Sequence, residues 1–296
     1  MRDLEIYNTS LLYVLTRVFS SFKHANLRPR RIPAYEMPVT SGTLQQTLED
    51  IASSDIELDA CTWERRYVLR GDYFIKSELE EQKLIVRENG SVVRPFWPKE
   101  RLLNEYATLR FVAANTTIPV PRHWLYMADG LMHLATERIV HARPLQDLPA
   151  EKTAAARKAV DEQIQRDVLP QLRAIRRDVI GSVAVSLPVV PPLRIFCRDD
   201  RRWPRITTTQ DDVDNFVLCH NDLSAHNIFV DPDTFAIRAI IDWEYAGFYP
   251  ERFEIPLWRM LTPQDRGRLV EEVRARDLAF FGLQPGDLRD CVPPGP

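Results

Sequence analysis

The sequence lacks the features that mark several classes of protein. Its four cysteines show no Cys-x-x-Cys spacing, which argues against a zinc site and a disulfide framework and favours a reducing compartment. No apolar run reaches the length of a membrane-spanning helix, about 18 residues. The net charge of −3 provides no basic surface of the kind that nucleic-acid binding requires. We therefore expect neither nucleic acid nor membrane among its partners.

The chain has the composition of a soluble globular protein. Apolar residues make up 45% and charged residues 27% of its 296 residues, which is ordinary for a folded domain. An apolar run at residues 11–15 is short and follows Asp3 and Glu5, whereas a signal peptide has the opposite charge order. We expect one catalytic unit, located in the cytoplasm.

Residues 61–140 have the pattern of a small sheet with one helix. Pro98 opens a helical pattern that ends by Asn115. Short runs rich in β-branched and aromatic residues lie on both sides of it. The strand-like runs are 66–70, 73–76, 83–86, 124–127 and 132–140. We predict an N-terminal lobe here, preceded over residues 1–60 by a helical extension with helical patterns near 9–22 and 43–53.

Residues 141–296 are predicted to form a larger, mainly helical lobe. Apolar residues repeat every three or four positions from Val160 to Val179, and Pro170 should kink this helix. Residues 181–214 are rich in Pro, Arg and Asp and are predicted to form a long loop. The helical pattern returns from Pro250 to about Leu283. The predicted fold class is α+β, with two lobes.

The residue types that carry chemistry are concentrated between His220 and Asp242. His220 and Asp222 form a His-x-Asp pair, Asn227 follows five residues after Asp222, and Asp242 ends an apolar run fifteen residues later. Phosphoryl transfer needs a carboxylate to orient and deprotonate a hydroxyl, and oxygen ligands for Mg²⁺. Asp222 suits the first role, and Asn227 and Asp242 suit the second. The structural alternative is a hairpin loop in which Asp222 and Asn227 only satisfy turn hydrogen bonds.

The runs 220–230 and 241–244 resemble the catalytic and metal-binding loops of the aminoglycoside phosphotransferase and choline kinase families. The run 242–250 is most similar to fungal members of the phosphotransferase family. The resemblance covers about residues 60–260 and implies a protein-kinase-like fold with ATP bound between two lobes. It implies that Asp222 is the catalytic base, that Asn227 and Asp242 hold the metal, and that His220 supports the loop.

In the predicted N-terminal lobe, the resemblance implies that Lys76 holds the nucleotide phosphates and that Glu105 is its acidic partner. Glu105 falls on one helical flank with Leu109 and Val112, so it can face inward. The alternative for Lys76 is a solvated lysine at a strand end, with Lys83 as a rival. The alternative for Glu105 is a helix-surface acid paired with a neighbouring arginine, Arg101 or Arg110.

The resemblance also indicates where the nucleotide base binds. Residues 135–140 resemble the hinge between the lobes, with Glu137 and Ile139 as candidates for adenine binding. No Gly-x-Gly-x-x-Gly loop precedes Lys76, and Gly71 stands alone between the first two predicted strands. Because related phosphotransferases often have an incomplete glycine loop, ATP stays the predicted nucleotide, with GTP as an alternative.

Four side chains downstream are candidates for binding the acceptor: Trp243, Glu244, Tyr245 and Trp258. They combine aromatic walls with an acid that suits an amine or a hydroxyl. Trp243 and Trp258 fit the hydrophobic core equally well. His226 suggests an iron site together with His220 and Asp222, but no histidine follows it, so we set that interpretation aside.

The sequence predicts a small-molecule kinase that transfers the γ-phosphoryl group of ATP, with Mg²⁺, to a hydroxyl of a small molecule. Two alternatives stay open. One is a kinase-like binding or regulatory protein without catalysis. The other is an enzyme of secondary metabolism that uses phosphorylation to activate a hydroxyl for elimination or cyclisation.

Overall fold

The computed structural model describes residues 41–195, 203–207, 216–260 and 262–287. The helical pattern predicted near residues 9–22 and part of the predicted loop 181–214 lie outside these residues. Within the described ranges, no helix is both long enough and apolar enough to span a bilayer.

An antiparallel sheet of five strands forms the N-terminal lobe, in the order β1-β2-β3-β7-β6. A separate hairpin, β4 and β5, lies between β3 and the helix that follows. The strands are β1 (Ile56–Cys61), β2 (Arg66–Arg70), β3 (Tyr73–Ser77), β4 (Ile85–Val86), β5 (Val92–Val93), β6 (His123–Ala128) and β7 (Leu131–Glu137).

The sheet begins earlier and ends earlier than the sequence predicted. β1 starts at Ile56 and pairs with β2, so residues 56–60 belong to the sheet and not to the helical extension. This edge strand has mostly exposed side chains, which makes its apolar signal weak. β7 ends at Glu137, not at Val140. The helical pattern near 43–53 forms helix α1, Ser41–Ser53.

The two faces of β3 have different environments because side chains alternate along a strand. Ile75 points toward a cluster with Ile51 of α1 and Trp124 of β6. Phe74 and Lys76 point to the opposite face and line the cleft between the lobes. The alternation therefore places a lysine on the cleft side of the sheet.

Helix α2, Pro98–Asn115, packs against β6 and β7. It begins and ends where the sequence predicted, with proline in its first turn. Its buried face carries apolar residues such as Leu102 and Leu109, but also Arg101, Asn104 and Glu105. Polar groups that are buried this completely need partners, and theirs lie at the candidate site.

The helices of the larger lobe are α3 (Ala150–Gln163), α4 (Leu169–Ala174) and α5 (Pro263–Phe280). A π-helical turn at Ile164–Val168 joins α3 to α4. Pro170 lacks an amide donor, and the wider turn directly before it absorbs the irregularity that the sequence predicted as a kink. The helix ends at Ala174, so the predicted extension to Val179 is wrong.

Two small sheets carry the His220–Asp242 region. β10 pairs with β9 and β13, and β11 pairs with β8 and β12. The strands are β8 (Arg143–Pro144), β9 (Arg176–Arg177), β10 (Phe216–Cys219), β11 (Ile228–Val230), β12 (Ile237–Ile240) and β13 (Gly247–Tyr249). One apolar core extends from α2 into this lobe. The predicted α+β class, a small sheet lobe followed by a larger and mainly helical lobe, is confirmed.

Candidate active site

His220 is a buried support of the loop that connects β10 to β11, residues 220–227. Its Nε2 donates to the carbonyl of Ile241 at 3.0 Å, and its Nδ1 accepts from the amide of Asp222 at 3.3 Å. Burial lowers the pKa of His220 to about 4, so the ring is neutral near pH 7. A neutral ring with both nitrogens in use orients the loop.

Asp222 lies in this loop and is partly buried as a residue. Ser224 Oγ donates to its Oδ1 at 2.5 Å, and Asn227 Nδ2 donates to its carbonyl oxygen at 2.9 Å. Burial raises the pKa of Asp222 to about 7, although the Ser224 hydrogen bond opposes the rise. A carboxylate that is oriented in this way, with a pKa near neutrality, is suited to accept a proton from a hydroxyl.

Asp242 lies two residues after the end of β12 and has a left-handed backbone, with φ 65°. This conformation is uncommon for any residue except glycine, and such strain tends to occur at functional sites. The amide of Ile241 donates to the carbonyl of Asn227 at 3.0 Å. Asn227 and Asp242 therefore lie at the same end of the β11–β12 hairpin.

Lys76 joins the two lobes through a buried cluster of charges. Its Nζ lies 2.8 and 2.9 Å from the carboxylate oxygens of Glu105 and 2.7 Å from Oδ1 of Asp242. Burial lowers the pKa of Lys76, but Asp242 and Glu105 outweigh that effect and raise it above its ordinary value. The lysine stays protonated, and the structure brings these three predicted site residues together.

Oxygen ligands for a divalent metal are present beside this cluster. Oδ1 of Asn227 is buried and has no hydrogen-bond partner in the described part of the chain. Lys76 contacts Oδ1 of Asp242, which leaves Oδ2 for another ligand. Mg²⁺ prefers a few protein oxygens and completes its shell with water and phosphate. The side chains of Asn227 and Asp242 fit such an ion.

Glu105 and Glu244 also have carboxylate oxygens within 4.8 Å of each other and of Asp242. However, Lys76 is paired with Glu105, and Arg65 with Glu244. Both carboxylate oxygens of Glu105 contact Lys76. Those of Glu244 contact Arg65 and Arg101. Of the two carboxylate oxygens of Asp242, only Oδ1 is paired among the described residues. Asp242 is therefore the best carboxylate ligand of the three.

A largely apolar cleft between the lobes has Lys76 and Asp242 in its lining. Leu69 and Phe74 line it from the sheet, and side chains of the larger lobe line it from the other side. The lining from the larger lobe includes Phe229 and Ile241. The cleft thus combines apolar walls with charged groups in its lining.

The two predicted hinge residues border this cleft in different ways. Glu137 donates its amide to the carbonyl of Arg122 at 2.8 Å, and its carboxylate pairs with the Arg122 guanidinium. Ile139 lies beyond the end of β7, and its side chain packs near Phe229. Within the described ranges its amide donates no hydrogen bond. Of the two predicted hinge residues, Ile139 is therefore the one whose backbone amide can donate a hydrogen bond to a ligand.

The four side chains predicted to bind the acceptor do not form an open pocket. Trp243 is fully buried, and Trp258 donates to Asp161 at 2.7 Å. Glu244 and Tyr245 are buried against arginine side chains. The core interpretation is correct for both tryptophans, because their apolar rings pack inside the larger lobe.

Three buried residues of the site had no predicted role there: Arg65, Arg101 and Asn104. Arg65 lies in the turn between β1 and β2, and its Nη2 donates to Glu244 at 2.8 Å. Arg101 is completely buried and contacts Glu244 at 3.2 Å. It is therefore not the surface partner of Glu105 that the alternative interpretation required.

Glu254 is a further residue that the sequence did not indicate. Its Oε2 accepts from the amides of His220 and Asn221 at the start of the loop. The available signal was an acid placed between two apolar residues, Phe253 and Ile255, both of which are buried. An acid in such a setting needs a donor inside the protein.

We expect Glu254→Ala to destabilise the protein and slow catalysis, because two loop amides lose their acceptor. The loss in the free energy of unfolding should be roughly 1–3 kcal/mol, measured by urea denaturation. Glu251→Ala is the matched control, since Glu251 makes an exposed ion pair with Arg173. Equal effects of the two substitutions would contradict a special role for Glu254.

His226 lies on the loop 220–227, but its side chain is buried and contacts another part of the larger lobe. Its Nδ1 lies 3.1 Å from Nη1 of Arg266 in helix α5. Burial and the charge of Arg266 lower the pKa of His226 to about 3. Among the described residues, no group of metal-binding side chains includes His226.

Residues 128–288 match the model of the phosphotransferase enzyme family. This span is more than half of the 296 residues, so the chain belongs to that family. The predicted resemblance to the aminoglycoside phosphotransferase family is confirmed, and so is the prediction that the protein is a small-molecule kinase. No curated protein matches the chain.

Solved structures of aminoglycoside phosphotransferases are similar to this chain. A thermostable mutant of APH(4)-Ia without ligands is 17% identical, with 81% of this chain and 84% of that chain covered and a TM-score of 0.45. An aminoglycoside-3'-phosphotransferase of type VIII is 17% identical, with 81% and 96% covered and a TM-score of 0.42. APH(2")-IIa in a complex with streptomycin and ATP is 12% identical, with 82% and 89% covered and a TM-score of 0.45.

Proposed function

We propose that the protein transfers the γ-phosphoryl group of ATP, with Mg²⁺, to a hydroxyl group of a small molecule. The observation that carries this proposal is the buried contact of Lys76 with both Glu105 and Asp242. It places a protonated amine and a carboxylate in the lining of a largely apolar cleft. This is the arrangement that positions phosphates and their metal ion in phosphoryl transfer.

The proposal assigns the nucleotide to the cleft between the lobes. Leu69 and Phe74 would cover one face of a purine, and Phe229 and Ile241 the other. The unpaired amide of Ile139 would donate to a ring nitrogen at the cleft edge. Apolar walls with one or two directed polar groups are typical of small-molecule sites.

The charged groups at the cleft would then perform the chemistry. Asp222 would orient the acceptor hydroxyl and take its proton, while Lys76 would neutralise phosphate oxygens. Asn227 and Asp242 would hold Mg²⁺, which neutralises charge on the transferring phosphates. Catalysis of this type depends on positioning and electrostatics more than on covalent chemistry.

A direct test is a screen of hydroxyl compounds for ATP consumption, followed by mass measurement of the products. Addition of one phosphoryl group to the acceptor supports the proposal. Loss of the phosphoryl group with elimination or ring closure would instead support the secondary-metabolism alternative. ATP and GTP are compared as donors in the same assay.

The glycine-free turn between β1 and β2 favours one competing function, a nucleotide-independent binding or regulatory protein. Thermal denaturation with a non-hydrolysable ATP analogue distinguishes the two. We expect a rise in Tm with analogue and Mg²⁺, corresponding to about 2.7 kcal/mol at a ligand concentration 100-fold above Kd.

Asp242→Asn should remove most of the additional stabilisation that Mg²⁺ gives to the analogue complex, because a neutral amide binds the ion less tightly. The control is the same titration in EDTA, where wild type and variant should differ little. An absence of any Tm rise in the wild type at millimolar nucleotide would contradict the proposed function.

A further inference from the structure

A short segment beyond Asp242 accepts hydrogen bonds from several buried polar side chains. We define it as the 244–246 segment: Glu244, Tyr245 and Ala246. We propose that Arg65, Arg101 and Asn104 are positioning residues, which hold this segment and thereby place Asp242 against Lys76. The inference rests on the proposed function, because it concerns how the metal-binding aspartate is positioned.

The main chain of the segment is satisfied by two asparagine side chains. Asn104 Nδ2 donates to the carbonyls of Glu244 and Ala246, both at 2.9 Å. Asn221 Nδ2 donates to the carbonyl of Tyr245 at 2.8 Å. Three consecutive carbonyls therefore accept hydrogen bonds from α2 and from the catalytic loop, not from a neighbouring strand.

The side chains of the segment are held by two arginines. Arg65 Nη2 donates to Glu244 at 2.8 Å, and its Nη1 donates to the carbonyl of Pro98 at 2.9 Å. Arg101 Nη1 contacts Glu244 at 3.2 Å and donates to the Tyr245 hydroxyl at 2.8 Å. Glu244 therefore forms buried ion pairs with both guanidinium groups.

One donor to the 244–246 segment lies next to a residue that contacts Lys76. Asn104 is the neighbour of Glu105 on α2, so one turn of helix holds both the partner of Lys76 and the segment beyond Asp242. Asp242 has a left-handed backbone, with φ 65°. Such a conformation persists only where the surroundings determine it. The bonds to the 244–246 segment provide that constraint two residues downstream.

Arg65 connects the same segment to the sheet. It lies in the turn 62–65, which contains no glycine, and this turn is fixed by Thr62. Thr62 Oγ1 accepts from the amides of Glu64 and Arg65 at 3.2 and 3.1 Å. Arg65 is only 1% exposed. The turn therefore contributes a side-chain cation directed at the Asp242 loop.

The geometry makes Arg65 and Glu244 act on the metal site as one unit. If this is correct, removing Arg65 should matter only through Glu244. A purely structural role would instead lower stability without changing how nucleotide binding depends on Mg²⁺. A double-mutant cycle separates these cases, because residues that act as a unit show non-additive effects.

The experiment compares R65M, E244Q and the double variant R65M/E244Q. The readout is Kd for a non-hydrolysable ATP analogue, measured by calorimetry with saturating Mg²⁺ and in EDTA, together with Tm. In R65M we expect the Mg²⁺-dependent gain in affinity to fall about 10-fold, within the range of coupled pairs. The Kd in EDTA should stay within about two-fold of wild type, and the double variant should match E244Q alone.

R66M is the matched control. Arg66 is the next residue in the chain, but it makes a partly exposed ion pair with Asp59. We expect wild-type Mg²⁺ dependence in R66M. If R65M does not fold, N104A is measured in the same titrations and should show a similar loss of Mg²⁺-dependent affinity.

Additive effects in the cycle, or equal Mg²⁺ dependence in R65M and R66M, would overturn the inference. Wild-type Mg²⁺ dependence in N104A would also overturn it. Failure of the proposed function has a different result: the wild type would then bind the analogue without any Mg²⁺-dependent gain or would transfer no phosphoryl group. The two outcomes are therefore distinguishable.

Discussion

Asp222→Asn is expected to lower kcat by roughly 10²–10⁴-fold, the usual contribution of a positioned general base. Asparagine has nearly the same shape and can keep the contact with Ser224 Oγ. It cannot accept the proton of the acceptor hydroxyl. The rate is measured as ADP release with an acceptor from the screen, or as ATP hydrolysis without one.

Stability should not fall in the same variant. The pKa of Asp222 is raised to about 7, so the ionised carboxylate is disfavoured in the folded protein. Folding therefore loses stability as the pH rises through the interval from the ordinary aspartate pKa to about 7. A neutral asparagine avoids this loss, and we expect an unchanged or higher Tm at pH 8.

Asp233→Asn is the control for Asp222. It makes the same chemical change in the β11–β12 hairpin, where Asp233 forms an exposed ion pair with Lys152. We expect wild-type activity from this variant. A wild-type rate in Asp222→Asn would exclude Asp222 as the base.

Lys76→Met is expected to be the most damaging single substitution. It removes the cation that contacts Glu105 and Asp242, and both carboxylates are buried. Removing one partner of a buried ion pair destabilises a protein by roughly 3–5 kcal/mol. The loss of an electrostatic donor at the phosphates should also lower kcat/KM for ATP by about 10²–10³-fold.

A second substitution separates these two effects. Lys76→Met with Glu105→Gln removes one unpaired carboxylate and should recover part of the stability, as measured by urea denaturation. Activity should stay low, because the cation is still missing. Lys83→Met is the control, since Lys83 is exposed. Recovery of activity in the double variant would contradict a role for Lys76 in holding phosphates.

The sequence indicated Glu244 as part of an acceptor pocket, and the structure shows why that interpretation failed. An acid flanked by aromatic residues has the composition of a binding site. In the folded protein, the carboxylate of Glu244 contacts Arg65 and Arg101, which lie 179 and 143 residues away in the chain. No local pattern around Glu244 predicts that two arginines neutralise it.

The burial of Arg101 could not be predicted from the sequence either. On an amphipathic helix, an arginine is usually expected at the solvent face, because burying its charge is costly. Here it is completely buried between Glu244 and the Tyr245 hydroxyl. Its burial is favourable only because these partners are already in place.

The sequence by itself determined the local elements of the site. The apolar run that ends at Asp242, the helix Pro98–Asn115 and the order of Asp222, Asn227 and Asp242 all follow from patterns within short stretches. Turn residues, apolar periodicity and a proline at a helix start act over a few positions. Such signals can be read without knowing the fold.

The tertiary structure decided which charges meet. Lys76 contacts an acid 29 residues away and another 166 residues away, and only the packing of α2 between the sheet and the larger lobe brings them together. The same packing buries Glu244, which the sequence suggested as an acceptor-binding residue, in ion pairs with Arg65 and Arg101. Ion pairs between distant residues have no period in the sequence, and their free energy depends on the burial that the complete fold creates.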